Sequence, residues 1–285
     1  MQDSTPIMEY LEPLFPEPPA HPADPTLRFL SDLLEEFGDE WGNKWMFHYR
    51  WKRQEDIDLV ALRLASEGNP DSPPEQHQKA AEMIKERMGS TSASGGRGFA
   101  VGSNDVTSPL IEASFQEGIK LLDAHLADRA FLFGAAPVFG DFGLGLQVYQ
   151  ALIDPTAGGI LREQAPNVVR WCEDMVSPKA VGDGALEAWA TLEPTLAPFL
   201  STAVSRFLTW SSANSKAIAE GAEEMEVDLG GGGLWWQTVG GPQKYHAKSL
   251  KVLQEKYAAA ATSALDDVLA ALDCLAPLQV AEARL

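Results

Sequence analysis

The sequence has little cysteine and little positive charge. Its 285 residues include two cysteines, Cys172 and Cys274, which form no pair at metal-ligand spacing. Sparse cysteine argues against a disulfide scaffold and predicts a reducing compartment, the cytoplasm, with an organelle lumen as the alternative. Only 22 Lys and Arg stand against 41 Asp and Glu, a net charge of −19. Because such a field repels phosphate, we expect neither nucleic-acid binding nor adhesion to an anionic membrane.

The sequence also lacks the patterns of a membrane span, a signal peptide, a metal site and a phosphate loop. No run of eighteen apolar residues predicts a membrane span, and the acidic N-terminus lacks the basic region of a signal peptide. The five histidines show no metal-ligand spacing, and the glycine-rich stretch 89–105 lacks the Gly-Lys-Ser/Thr of a phosphate loop. We therefore predict no metal site and no independent catalytic site. No stretch has a convincing strand pattern, including the glycine-rich loop 230–242 that carries two tryptophans.

What the sequence does contain is helical periodicity. Apolar residues recur at helical spacing through 26–67, 108–128, 186–225 and 244–275. The stretch 141–153 has almost no polar face, so we expect a central helix that is buried on all sides. Its Asp141 is placed to accept hydrogen bonds at the helix N-terminus, and removing it is expected to cost roughly 1–2 kcal/mol. Gly143 and Gly145 indicate places where neighbouring helices come close.

The N-terminus has the composition of a short helix followed by a stiff connection. Asp3, Ser4 and Thr5 are good N-cap residues, and Pro6 suits a first helical turn. The proline-rich stretch 16–25 cannot be helical and is typical of an extended linker.

The stretch from Phe131 to Trp171 resembles the C-terminal helical domain of the glutathione transferase superfamily. The resemblance rests on the following residues: Phe131-Leu132-Phe133-Gly134, Pro137, Asp141-Phe142, Pro166 and Trp171. It implies an all-α fold, an orthogonal helical bundle. In that family the acidic residue completes an S/T-x-x-D capping box. Val138 takes the Ser/Thr place here, so only the Asp141 half of the box is present.

The resemblance extends to Asp3-Ser4, which looks like the pair that opens the last helix of the family's thioredoxin-like domain. It implies that residues 1–25 are a remnant of that domain plus a linker, and that 26–285 form the helical domain. It also implies that Asp3 and Ser4 bind the γ-glutamyl carboxylate of glutathione, a possible co-substrate; no other cofactor is expected. The family's thiol-activating residue precedes this motif, so we expect little conjugating activity and assign no catalytic residue. The alternative is that Asp3 and Ser4 are an ordinary helix cap.

A cluster of aromatic residues forms the second candidate site. Trp41, Trp45 and His48 fall at i, i+4 and i+7, and Tyr49 follows Trp45 by four, so one helix face would present all four. We expect this face to be a pocket for a small apolar electrophile or a contact with another protein subunit. The alternative is packing in the core.

Two functions remain open from the sequence. One is a glutathione S-transferase-like protein that binds glutathione, an apolar electrophile, or both. The other is a non-catalytic helical module that acts as a structural or interaction subunit of a larger assembly or as a homodimer.

Overall fold

The computed structural model describes residues 4–88, 101–177, 184–230 and 233–279, and it confirms the all-α prediction. Within these ranges no helix combines the length and the apolar character needed to cross a membrane. The helices are α1 Ser4–Leu11, α2 Pro25–Phe37, α3 Asn43–Lys52, α4 Gln54–Gly68, α5 Pro74–Met88, α6 Ser108–His125, α7 Leu146–Leu152, α8 Pro155–Gln164, α9 Pro166–Val176, α10 Trp189–Phe199, α11 Ser205–Ala219, α12 Gly241–Ala260 and α13 Ser263–Ala271. Among the described residues, three π-helical segments lead directly into α3, α7 and α11: Gly38–Gly42, Asp141–Gly145 and Leu200–Val204.

Side chains cap the N-termini of α2 and α13. Asp24 precedes α2, and its carboxylate accepts from the backbone N–H of Leu27 at 2.9 Å. Thr262 caps α13 in the same way, accepting from Leu265 N–H at 3.2 Å. Each cap satisfies an N–H group that the helix itself leaves without a partner.

The centre of the bundle is a close crossing between α2 and the helix that begins at Asp141. A Cβ atom on Gly38 would lie 2.6 Å from Leu144 Cα, and one on Gly143 would lie 2.7 Å from Glu35 Cα. A Cβ on Gly145 would lie 3.0 Å from Trp171 Cζ2. The expected close approach at Gly143 and Gly145 is therefore confirmed, because a side chain at either position would collide with the neighbouring element.

Asp141 organises the start of the central helix as the sequence predicts. Its carboxylate accepts from the backbone N–H of Val138 and of Leu132, both at 2.9 Å. The Val138 bond is the surviving half of the capping box. The indole N–H of Trp171 donates to the same carboxylate at 2.9 Å, a partner that the sequence did not indicate. Burial raises the pKa of Asp141 to about 6, against the lowering effect of these three donors.

The prediction that the central helix is buried on all sides is wrong. Leu146 is 40% exposed, and Phe142 and Tyr149 are only partly buried. Leu144, Val148 and Leu152 face the core. The helix thus has one inner face and one apolar face that borders open space.

The expectation that no strand occurs is also wrong. Strands β1, Glu224–Asp228, and β2, Leu234–Thr238, pair antiparallel, with Val227 opposite Trp235. Trp235 is fully buried, and its indole N–H donates to Gln237 Oε1 at 2.8 Å. Trp235 therefore packs onto the body from a strand rather than from a loop, since aromatic residues suit a half-buried pleated ribbon.

Candidate functional site

The aromatic cluster of α3 and the π-helical segment before it lies in the core. Trp41 and Trp45 are 2% and 1% exposed, and His48 and Tyr49 are equally buried. Trp41 packs 5.4 Å from the ring of Trp235, and Trp45 packs 5.8 Å from Phe115. The expectation that these four residues form a pocket or a subunit contact is therefore wrong. The chain's own α6, α11 and β-hairpin cover this face.

The polar atoms of this cluster are satisfied internally. The indole N–H groups of Trp41 and Trp45 both donate to Ser114 Oγ, at 2.9 and 3.0 Å. His48 lies between Ser103 Oγ at 2.8 Å and Glu112 Oε1 at 3.1 Å. Burial lowers the pKa of His48, although Glu112 opposes the shift.

A Ser, a His and a Glu linked in this order are the components of a nucleophilic triad. Ser103, however, is 1% exposed. A nucleophile must reach its substrate, so we assign these residues no catalytic role. The hydrogen bonds from Ser103 through His48 to Glu112 instead hold the 101–107 turn against α3.

Open space lies instead beside α1. A cavity of about 320 Å³, which we call the α1 cavity, separates α1 from the exposed apolar face of the central helix. Its lining residues are Ser4, Met8, Glu35, Asp39, Phe142, Gly143, Leu146, Gln147, Tyr149, Gln150 and Val176.

A second cavity of about 290 Å³ lies on the other side of the α1 N-terminus. Thr5 and Pro6 form one wall, and Tyr245, Lys248 and Ser249 of α12 form the other. Asp39 lines both cavities. The N-terminus of α1 is thus bordered by open space on two sides.

Glu35 gives the α1 cavity an unusual acid. The residue is 4% exposed, and the Thr5 hydroxyl donates to its Oε1 at 2.5 Å. Burial raises the pKa of Glu35 to about 8; the Thr5 hydrogen bond opposes the shift, and the charges of Asp39 and Glu36 add to it. At neutral pH the side chain is therefore mostly a neutral carboxylic acid, able to donate as well as accept a hydrogen bond.

The predicted glutathione-binding pair is only half visible. Ser4 is the first residue of α1 and lines the α1 cavity, whereas Asp3 lies outside the described residues. Sequence reasoning missed Glu35, Asp39 and Phe142 as companions of Ser4. The residues are distant in the chain, and the only sequence signal was the unbroken apolar character of the central helix, which we interpreted as complete burial.

Helix α1 itself buries no residue. Its outer surface and the turn after it expose a set of large apolar side chains: Ile7, Tyr10, Leu11, Leu14 and Phe15. The fractions range from 39% for Ile7 to 68% for Phe15. An apolar patch of this kind is typical of a surface that packs against another body.

One part of the chain is similar to a known protein family. Residues 82–174 match the family model described as "Glutathione S-transferase, C-terminal domain". A search of curated proteins and a search of solved structures each gave no match. The matched segment includes Asp141 with its capping bond and the central-helix residues of the α1 cavity from Phe142 to Gln150. Residues 82–174, about a third of the chain, are therefore similar to the C-terminal helical domain of glutathione S-transferases.

Proposed function

We propose that this protein is a glutathione S-transferase-like binding protein and that its ligand occupies the α1 cavity. One observation carries the proposal: Ser4 shares a single cavity with the exposed apolar face of the central helix. The γ-glutamyl end of glutathione would lie at Ser4, and an apolar group attached to its sulfur would lie against Phe142, Leu146 and Tyr149.

The charges at the cavity fit the two ends of an α-amino acid. The Ser4 hydroxyl and the first backbone N–H groups of α1 favour a carboxylate, because a helix N-terminus carries partial positive charge. The Asp39 carboxylate favours an ammonium group in the same cavity. Glu35, mostly protonated at neutral pH, adds little repulsion toward the ligand carboxylate.

The apolar side of the cavity supports the second half of the proposal. Leu146 and Tyr149 stand one helical turn apart and both face the cavity, together with Met8 and Val176. Burying a chain of several CH₂ groups there would contribute about 0.8 kcal/mol for each group fully removed from water. We assign no residue to activation of the thiol, so the proposal concerns binding.

The exposed apolar patch on α1 supports the proposed division of the chain. Residues 1–25 would be the last helix of a thioredoxin-like unit plus its linker, and 26–285 the helical domain. Tyr10, Leu14 and Phe15 would then pack against the rest of that unit.

Calorimetric titration of the full chain with glutathione and with S-hexylglutathione tests the proposal. We expect the hexyl derivative to bind at least about tenfold more tightly, because its chain is buried against Leu146. Ser4→Ala should lower the affinity for both ligands by about tenfold, because a hydrogen bond to a charged group is lost. Ser249→Ala, in the second cavity, is the matched control and should leave both affinities unchanged.

Two further arms separate the two halves of the ligand. The dipeptide Cys-Gly, which lacks the γ-glutamyl group, should not bind measurably. Asp39→Asn should lower the affinity for glutathione. Glutathione affinity that is the same in Ser4→Ala and in the unaltered protein would overturn the proposed placement.

The exposed patch on α1 also supports the alternative, a non-catalytic helical module that acts as an interaction subunit or a homodimer. Analytical ultracentrifugation decides between the two readings. Concentration-dependent association that Tyr10→Glu abolishes, together with absent glutathione binding, would favour the module.

A further inference from the structure

A group of ionisable side chains outside the α1 cavity brings together three separate parts of the chain. Glu9 lies on α1, His21 in the linker and Asp32 on α2. One potential ligand atom from each lies within 4.8 Å of the others. His21 and Asp32 are both 7% exposed, so most of the group is removed from water.

A lysine supplies the positive charge in this group. Lys256 on α12 places its Nζ 2.9 Å from Glu9 Oε1 and 3.0 Å from Asp32 Oδ1. The Lys256 side chain is 26% exposed and borders an open cavity of about 670 Å³, which Arg28, Phe29 and Ala260 also line. Its ammonium group can therefore move outward without crossing packed side chains.

His21 is the part of the group that the protein leaves unexplained. Its Nε2 lies 3.3 Å from Glu9 Oε2, but outside hydrogen-bonding geometry, and neither ring nitrogen has a hydrogen-bond partner among the described residues. The ring instead stacks 4.7 Å from Phe139. A buried polar atom without a partner is costly, so an imidazole held in this way indicates a missing ligand.

We propose that Glu9, His21 and Asp32 form a binding site for a divalent transition metal, with Zn²⁺ as the preferred ion, and that Lys256 occupies it in the metal-free protein. One imidazole and two carboxylates are a donor set that Zn²⁺ accepts, and the open cavity gives access to a water as fourth ligand. Nothing in the histidine spacing along the sequence could reveal the site, because its donors come from three elements.

The geometry requires a modest contraction. Donors about 2.1 Å from a tetrahedral Zn²⁺ are roughly 3.4 Å apart, which is closer than the 4.8 Å limit of this group. The Glu9 side chain is 34% exposed and can rotate inward as Lys256 leaves. Metal binding would then replace the ammonium charge by a larger one and fix α1 to α2 through the linker.

Titration of the full chain with Co²⁺, followed by displacement with Zn²⁺, tests the site. We expect one equivalent of Co²⁺ to give visible absorption bands of low coordination number, and Zn²⁺ to remove them. His21→Gln should abolish the bands, and Asp32→Asn should weaken binding at least about tenfold. Lys256→Met should strengthen binding about tenfold or more, because a repelling charge is removed.

Matched controls distinguish a specific metal site from the non-specific attraction of cations to an acidic protein. His77→Gln removes a partly exposed imidazole on α5, and Glu255→Gln removes an exposed carboxylate next to Lys256 in the sequence; neither should change the affinity. Circular dichroism of each variant shows whether it has folded. The absence of a saturable Co²⁺ signal in the folded protein, or binding that survives His21→Gln, would overturn the proposal.

Discussion

Helix α1 and the central helix are neighbours across one cavity, yet they are held in opposite ways. The central helix is fixed by burial, by glycine contacts with α2 and by the three hydrogen bonds of Asp141. Helix α1 buries no residue and is joined to the body by polar contacts. Two of these are the bond from Thr5 to Glu35 and the ion pair of Glu9 with Lys256. The difference teaches that one wall of the cavity is rigid and the other is adjustable.

The largest effect is expected where the rigid part is most tightly packed. Trp45→Ala should lower the free energy of unfolding by about 4 kcal/mol, because it leaves a cavity beside Phe115 and Gly118. Trp236→Ala, a truncation at a partly exposed site on β2, should cost less than about 1 kcal/mol. Denaturant unfolding of both variants measures the contrast. Equal losses would mean that the aromatic cluster is not part of the core.

Asp141→Ala should cost about 3 kcal/mol, more than a helix cap alone. The substitution leaves two backbone N–H groups and the Trp171 indole N–H buried without an acceptor. Asp128→Ala, at an exposed position, is the control and should be nearly neutral. A loss below about 1 kcal/mol in thermal or denaturant unfolding would contradict the assigned role.

The glycine crossing gives the next effect. Gly38→Ala should cost about 2 kcal/mol, because its Cβ would meet the backbone of Leu144, which cannot move aside. Gly159→Ala in α8 has open space at the same Cβ and should stabilise the protein by up to about 1 kcal/mol. If both glycines respond alike to alanine, the crossing is looser than the structure shows.

The contact between α1 and α2 should respond to pH through Glu35, which accepts the hydrogen bond from Thr5. Its folded-state pKa of about 8 exceeds the ordinary value of 4.5, so folding takes up a proton between these limits. Stability should therefore fall as pH rises through this range, by on the order of 2 kcal/mol. Glu35→Gln should remove this part of the dependence and be the more stable protein at pH 8.

Asp141, with a folded-state pKa of about 6, should keep a smaller decrease between pH 4 and 6 in that variant. Urea unfolding at a series of pH values measures both contributions. A Glu35→Gln protein with the same profile above pH 6 as the unaltered protein would show that Glu35 is ionised in the fold.

The smallest effect concerns the ion pair of α1. Glu9→Gln should change global stability by no more than about 1 kcal/mol, because both partners are partly exposed. It should nevertheless raise amide hydrogen exchange in α1, where few other contacts resist opening. The control Glu255→Gln should leave exchange in α1 unaltered. Faster exchange in the central helix instead of α1 would reverse the comparison.

The cavity residues show where prediction from sequence stopped. The start of the central helix at Asp141 and the close approaches of Gly143 and Gly145 were predicted, since each depends on local chemistry or on the absence of a side chain. The exposure of Leu146 was not predicted, because an apolar helix face has the same sequence pattern whether it borders other helices or open space. For the same reason the burial of Trp41 and Trp45 in the core was only the alternative to a pocket or a subunit contact.

The sequence by itself determined the all-α class and the start of the central helix at Asp141, because these depend on interactions within a few residues. Only the tertiary structure decided which aromatic face became core and which apolar face borders a cavity. It also decided that Glu35 and Asp39 would join Ser4, and that Glu9, His21 and Asp32 would meet. Those outcomes depend on which elements pack together, and the periodicity of apolar residues along the chain does not indicate which neighbour covers a given face.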